Sequence, residues 1–222
     1  MKILWLGIVF LASCASVNKS LKTNENQNEM AALFVANPTP NWTGASFKNK
    51  YHACNAVFVD YHLAVTSNTC FSSENEGTRV YNLDTIVLEN KERRFTVENV
   101  FFAEEAQLIF LHTKEEAKPI HFGHQKEASY NEQLKSIGFQ IYGFRRFSQI
   151  EDKAIVRATR FGNEQDGEFF IVRMKTANRV NGAALFRQNG EFAGIIAGSE
   201  KGGRALVVPA DVIYRKVKEI DL

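Results

Sequence analysis

The sequence predicts an all-β protein of the barrel or sandwich class. Short runs of β-branched and aromatic residues alternate with turn residues along most of the 222 residues, and helical periodicity is rare. Two stretches have the form of β-hairpins, residues 54–70 around Asp60-Tyr61 and residues 182–197 around Asn189-Gly190. A chain of this length can form one large all-β domain or two small ones.

Further strands are expected on either side of these hairpins. Residues 15–29 are too polar to bury a face, and residues 14–41 as a whole are expected to form an N-terminal segment and tether. The short apolar run at residues 31–35 is stopped by Pro38 and Pro40, so residues 42–47 are expected to form the first strand. The remaining strands are predicted at residues 79–81, 85–88, 95–102, 104–111, 134–139, 148–160 and 168–174.

The C-terminal residues predict a helix. Val212, Ile213, Val217 and Ile220 recur at helical spacing. Pro209 precedes them, and Asp211 is an acid of the kind that favours the first turn of a helix.

The N-terminal residues are typical of an exported protein. Lys2 precedes an apolar run at residues 3–11, which is too short to cross ~30 Å of hydrocarbon at ~1.5 Å per residue and therefore predicts a signal peptide over residues 1–13. Residues 11–14 resemble a bacterial lipobox, in which the peptide is cut before the cysteine, here Cys14, and that cysteine receives the lipid. The alternative is an ordinary signal peptide followed by an incidental cysteine. We expect a periplasmic or cell-surface lipoprotein anchored in the outer membrane.

The number and positions of the three cysteines are consistent with an exported protein. If Cys14 carries a lipid, Cys54 and Cys70 remain at the two outer ends of the first hairpin, where a disulfide could close in an oxidising compartment. Two cysteines without neighbouring ligands do not predict a metal site, and no cofactor motif is present. The formal net charge of +2 argues against a nucleic-acid partner.

Three stretches resemble trypsin-like (chymotrypsin-fold) serine proteases. The family's first motif is Cys-Gly-Gly, followed by a hydrophobic strand and then by Thr-Ala-Ala-His-Cys. Residues 54–70 match this motif, with Thr69 in place of the catalytic histidine. Residues 108–111 resemble the strand that follows the catalytic aspartate, which places Glu105 there or, after a slip of one residue, Ala106. The family's Gly-Asp-Ser-Gly-Gly-Pro-Leu matches residues 179–185, with Asn181 in place of the nucleophilic serine.

The resemblance implies a fold of two six-stranded antiparallel β-barrels with a short C-terminal helix, the first barrel over residues 42–118 and the second over residues 119–222. An amide such as that of Asn181 is not a nucleophile at neutral pH. We therefore expect a protein that is not an enzyme, a pseudoprotease that binds a peptide or protein of the envelope. The alternatives are a weak or unconventional serine-type hydrolase with a relocated site and a structural envelope lipoprotein.

The resemblance also implies a peptide-binding groove. In the family the strand matching residues 194–199 pairs with an extended substrate, and Lys175 corresponds to the base of the primary specificity pocket, which would favour an acidic side chain. The aromatic and arginine residues at 139–147 either alternate between core and solvent or extend this groove. The predicted peptide-binding residues are Tyr142, Arg145, Arg146, Lys175, Arg179, Gly194, Ala197 and Ser199.

Overall fold

The computed structural model describes residues 30–36, 51–71, 83–124, 126–143, 145–163, 167–177, 180–200 and 202–220. These residues form two antiparallel β-sheets and one α-helix at the C-terminal end. The predicted strands at residues 42–47 and 79–81 lie outside the described residues, as do the signal peptide, Cys14 and Arg179. The prediction of an all-β fold with a C-terminal helix is confirmed.

The first sheet has seven strands in the order β5-β4-β1-β2-β3-β7-β6. Its strands are β1 (Met30–Ala36), β2 (Tyr51–Asp60), β3 (Leu63–Ser67), β4 (Ile86–Glu89), β5 (Arg94–Phe95), β6 (Val97–Ala103) and β7 (Leu108–Thr113). The predicted number of six is therefore too low by one for this half.

The second sheet is a closed barrel in the order β10-β13-β12-β11-β8-β9. Its strands are β8 (Gln133–Gly143), β9 (Arg146–Asn163), β10 (Gly167–Arg173), β11 (Ala184–Phe186), β12 (Phe192–Glu200) and β13 (Arg204–Pro209). Six strands agree with the prediction for this half.

Strand β1 corrects the predicted tether, which was expected to include residues 14–41. Met30 to Val35 are buried, and β1 pairs with β2 on one side and with β4 on the other. Alternate residues such as Phe34 and Leu33 enter different apolar clusters, so both faces of this strand are covered. A strand that is covered on both faces has a continuous apolar sequence rather than an alternating one. The sequence pattern alone therefore did not identify β1 as a strand.

Three apolar clusters hold the molecule together. One cluster, which includes Phe58 and Leu88, is formed by residues of the first half. Another cluster, which includes Val172 and Ile196, is formed by residues of the second barrel. The third cluster joins side chains of both halves, such as Phe110 and Phe139. The site described below lies where the two halves meet, and this shared cluster holds the halves together.

The predicted first hairpin and its disulfide are present. β2 pairs with β3 across Tyr61 and His62, and Cys54 bonds to Cys70 with a Cα–Cα separation of 6.0 Å. The short 3₁₀ turn Asn68–Cys70 follows β3 and brings the second cysteine back to β2. The disulfide therefore anchors the turn that carries Thr69.

The predicted C-terminal helix is also confirmed. Helix α1 (Ala210–Glu219) follows Pro209 and buries Val212 and Ile213 against the cluster shared by the two halves. Among the described residues, no helix has both the length and the apolar character needed to span a membrane.

Candidate functional site

The contact between the two halves brings together two residues that lie far apart in the sequence, Thr69 and Asn181. The Nδ2 of Asn181 donates a hydrogen bond to the Oγ1 of Thr69 at 3.3 Å, across a separation of 112 residues. Thr69 belongs to the first sheet's 3₁₀ turn, and Asn181 belongs to the turn before β11 of the second barrel. The two positions that the family resemblance selected from the sequence are thus neighbours in space.

A buried serine completes this polar group. The Oγ of Ser67 lies 2.8 Å from the Oγ1 of Thr69 and donates to the carbonyl oxygen of Ala197 at 2.5 Å. The Oγ1 of Thr69 also lies 3.4 Å from the same carbonyl oxygen. These groups are two hydroxyls, an amide and a carbonyl, none of which is a base near neutral pH, so they do not by themselves activate a nucleophile.

The amide of Asn181 has one polar atom without a partner. Its Oδ1 is shielded from solvent and accepts no hydrogen bond within the part of the chain that the structure describes. A buried acceptor left unpaired costs ~1–3 kcal/mol.

Asn55 holds the Asn181 turn against the first sheet. This residue is 1% exposed, and its backbone N–H donates to the carbonyl oxygen of Asn181 at 2.8 Å. Its Nδ2 donates to the same oxygen at 3.3 Å, and its Oδ1 accepts from the backbone N–H of Phe139 at 2.5 Å. The Oγ1 of Thr66 donates to its carbonyl oxygen at 2.7 Å. One side chain thereby satisfies backbone groups of two separate segments of the second barrel.

Two glycines make room for Asn55. A Cβ at Gly182 would lie 1.8 Å from the carbonyl oxygen of Asn55, and the backbone at Gly182 has a φ of +79° that side chains rarely adopt. A Cβ at Gly138 would lie 2.7 Å from the Cβ of Ala183 and 3.1 Å from the Oδ1 of Asn55. Gly182 is therefore required by the close approach of the two halves, whereas the tightest contact at Gly138 lies within the second barrel.

Sequence reasoning did not identify Asn55 or Ser67 as site residues. The available signal was a polar residue, Asn55, directly after Cys54 at the start of an otherwise apolar strand. A buried polar residue in such a position is informative because it must find hydrogen-bond partners. Its partners are 84 and 126 residues away, beyond any local pattern.

Glu105 does not join the polar group formed by Thr69 and Asn181. Its carboxylate forms an ion pair with the Nζ of Lys216 on α1 at 2.9 Å, and this hydrogen bond lowers the pKa of Glu105. Ala106, the alternative position, is buried in the cluster between the two halves. The residue of this segment that contacts the Thr69 turn is Gln107, whose carbonyl oxygen accepts from the backbone N–H of Asn68 at 3.0 Å. The side chain of Glu105 is directed to α1 because Lys216 offers an opposite charge there.

The predicted groove residues divide into buried and accessible positions. Gly194 is paired with Leu185 of β11 and Pro209 of β13, so it lies inside the sheet and cannot pair with a ligand. Ala197 is buried, and its carbonyl oxygen already accepts from Ser67. Lys175 and Ser199 are exposed.

The aromatic and arginine stretch connects the two halves of the molecule. The Nε of Arg145 donates to the Oε2 of Glu89 at 2.8 Å, and the side chain of Glu89 is only 6% exposed. The hydroxyl of Tyr142 lies 3.2 Å from the Oγ of Ser148 on the neighbouring strand. Arg145 therefore neutralises a buried carboxylate of β4, while Tyr142 and Arg146 remain exposed.

Comparisons with known proteins identify the fold. No family model matches the chain, and no curated protein matches it. The active form of the Rv3671c protease from M. tuberculosis matches with a TM-score of 0.69, at 12% identity, over 88% of this chain and 82% of that one. The inactive form matches with a TM-score of 0.64, at 11% identity, over 89% and 91%. An inactive serine-to-alanine mutant of the M. tuberculosis H37Rv protein matches with a TM-score of 0.64, at 12% identity, over 93% and 94%.

This comparison contradicts the prediction that the protein is not an enzyme. Solved structures that share its fold over most of both chains include the active form of a protease. The expectation of a non-enzyme rested on Thr69 and Asn181, but catalytic groups are recognised by their geometry and can lie at other positions of the same fold. The prediction from the sequence that the protein is not an enzyme is therefore wrong. What the chain shares with these structures is the chymotrypsin-like double β-barrel fold of the trypsin-like serine proteases.

Proposed function

We propose that this protein binds an extended polypeptide segment along the free edge of β12, beside Thr69 and Asn181. The observation that carries the proposal is that β12 continues beyond β11. β11 pairs with β12 only from Phe192 to Ile195, whereas β12 runs on to Glu200. No described strand pairs with residues 198–200 on that side, so backbone groups there are available to an added strand.

The space beside this edge is open. A Cβ at Gly198 would meet no atom within 4 Å, and Ser199 and Glu200 are exposed. By contrast, a Cβ at Gly194, further back along β12, would lie 2.2 Å from the carbonyl oxygen of Val208. A peptide backbone could therefore approach β12 at residues 198–200 but not at its buried beginning.

Two exposed polar residues could contribute to binding, Thr69 and Lys175. The Oγ1 of Thr69 lies beside β12, 3.4 Å from the carbonyl oxygen of Ala197. Lys175 is exposed in the turn after β10, and Asp152 holds that turn by accepting from the backbone N–H and the hydroxyl of Thr176 at 2.9 and 3.0 Å. The positive charge of Lys175, on a turn that these hydrogen bonds fix in place, favours an acidic side chain in the bound peptide.

The edge can be blocked by one substitution. Gly198→Val places a branched side chain in the open space, and we expect peptide affinity to fall about tenfold or more, because tenfold corresponds to ~1.4 kcal/mol and one or two backbone hydrogen bonds would be lost. Binding is measured by probing a peptide array with the purified protein and then titrating the best peptide. Lys175→Glu should shift the array preference from acidic to basic peptides.

The matched control for Gly198→Val is Gln133→Val, which adds the same side chain at an exposed position of β8. We expect it to bind peptides as the wild type does. Equal binding by Gly198→Val and the wild type, or an array without any bound peptide, would remove the β12 edge as the site.

Hydrolysis of the bound peptide is the second candidate function, and the match to an active protease favours it. The hydroxyls of Ser67 and Thr69 lie beside β12, where each contacts the carbonyl oxygen of Ala197. Mass spectrometry of peptides incubated with the wild type would show cleavage products, and a fluorophosphonate probe would label the reactive serine. If Thr69→Val and Ser67→Ala form the same cleavage products as the wild type, neither hydroxyl takes part in the hydrolysis.

We also propose that the protein is exported and held in the bacterial outer membrane by a lipid on Cys14. This proposal rests on the lipobox-like residues 11–14 and on the pairing of Cys54 with Cys70, which leaves Cys14 as the odd cysteine. Cys14→Ser should move the protein from the membrane fraction to the soluble fraction, because two or more acyl chains hold a protein at a membrane whereas none does. Fractionation followed by immunoblotting measures the change, and retention of Cys14→Ser in the membrane fraction would count against the anchor.

A further inference from the structure

Three arginines form a patch on the outer face of the second barrel. Arg157, Arg173 and Arg204 lie on β9, β10 and β13, which are neighbouring strands. Their neighbours in sequence Val156, Val172 and Ala205 are buried inside the barrel. Since side chains alternate along a strand, the arginines point outward. We call these three residues the arginine patch.

The arginine patch lines a concavity of about 510 Å³, and no carboxylate is among the described residues that line it. Its other lining residues are Tyr130, Ala158, Ile171 and Gly202. Tyr130 is 63% exposed, so a ring and a hydroxyl are available at its rim. The whole chain has a net charge of only +2, so this concentration of positive charge is local.

The charges in the patch are not compensated by nearby acids. Arg173 and Arg204 are directly opposite each other on adjacent strands, an arrangement of like charges that destabilises a sheet. Glu200 lies opposite Arg204 on β12, but no ion pair joins them in the described part of the chain. Four other arginines, Arg145, Arg160, Arg187 and Arg215, each contact a carboxylate.

One member of the patch is already oriented. The Nη1 of Arg157 donates to the Oδ1 of Asn131 at 2.8 Å. Asn131 in turn donates its backbone N–H to the carbonyl oxygen of Val156 at 2.9 Å. A guanidinium fixed in this way loses less conformational freedom when it binds an anion.

We propose that the arginine patch binds a ligand that carries phosphoryl groups. Guanidinium groups match the geometry of phosphate oxygens and donate two parallel hydrogen bonds to them. Three such groups around one concavity suit a ligand with more than one negative charge, from either a soluble oligophosphate or a phospholipid headgroup. This site is separate from the proposed peptide edge on β12.

The experiment uses the full chain carrying Cys14→Ser, so that no acyl chain contributes to membrane binding. One arm titrates inorganic tripolyphosphate by calorimetry, and the other measures cosedimentation with phosphatidylcholine vesicles with and without phosphatidylglycerol. We expect Arg173→Gln/Arg204→Gln to weaken binding about tenfold or more, which is ~1.4 kcal/mol, because two guanidinium groups that donate charge-assisted hydrogen bonds are lost. Binding in the tripolyphosphate arm alone identifies a soluble ligand, and binding in the vesicle arm alone identifies a headgroup.

Lys91→Gln/Arg94→Gln is the matched control, since it removes two exposed positive charges from the first sheet. This control should retain wild-type affinity, and the thermal midpoint of the patch variant should not fall, because a like-charge pair is removed. Equal losses in both double variants would mean general charge attraction and would overturn the proposal. The absence of binding in both arms would overturn it as well.

Discussion

Gly182→Ala should destabilise the folded protein by more than about 3 kcal/mol, because a strained backbone costs ~1–3 kcal/mol and broken buried hydrogen bonds add to it. The added methyl would lie 1.8 Å from the carbonyl oxygen of Asn55 and 2.8 Å from the Oγ1 of Thr66. The turn must therefore move away from Asn55, which loses its two bonds to the carbonyl oxygen of Asn181. Urea unfolding followed by circular dichroism measures the change as a shift in midpoint at constant slope.

The hairpin glycine Gly190 provides the matched control. It also has a positive φ, +87°, but a Cβ there would meet no atom within 4 Å. Gly190→Ala should cost only the conformational strain of ~1–2 kcal/mol. Equal losses in the two variants would show that the contact between the two halves at Gly182 contributes nothing beyond backbone strain.

Removal of the disulfide should cost about 3 kcal/mol of unfolding free energy, as the chain-entropy model gives for a closed loop of about 16 residues. Cys54 and Cys70 are separated by 16 positions, and the bond connects the start of the β2 hairpin strand to the turn that carries Thr69. Cys54→Ala/Cys70→Ala is the suitable variant, because both residues are buried and alanine adds no polar atom there. Urea unfolding with and without a reducing agent measures the effect.

The reducing agent also supplies the control for this prediction. It should lower the midpoint of the wild type to near that of the double variant and leave the double variant unchanged. A wild type that is indifferent to reduction, or that shows free thiols at both positions before reduction, would contradict the disulfide and its expected contribution.

Local features of the sequence were sufficient for the two hairpins and the helix. Asn189-Gly190 predicted a turn, and in the structure Gly190 has a positive φ while the backbone N–H of Arg187 donates to the carbonyl oxygen of Glu191. The helix α1 follows from apolar spacing over four positions within one segment. In each case the residues that stabilise the element are within a few positions of one another, so a short window contains the signal.

The strand β1 and the contacts of Arg145 and Glu105 needed the whole structure. β1 is stabilised by strands on both sides, and both of its faces are covered. Its sequence therefore lacks the alternation of apolar and polar residues that would have identified a strand. Arg145 and Glu105 were natural candidates for a groove and a triad position, but each meets an opposite charge, Glu89 and Lys216, on a distant segment. An ion pair between segments so far apart depends on the fold and not on spacing.

By itself the sequence determined the all-β class, the disulfide pair and the C-terminal helix, because order and local spacing encode these features. Only the tertiary structure decided that Asn55 binds the Asn181 turn, that Gly182 must lack a side chain, and that the edge of β12 at residues 198–200 is open. The physical reason is that hydrogen bonds and close approaches between the two sheets join residues more than one hundred positions apart, and their geometry exists only when both sheets have formed.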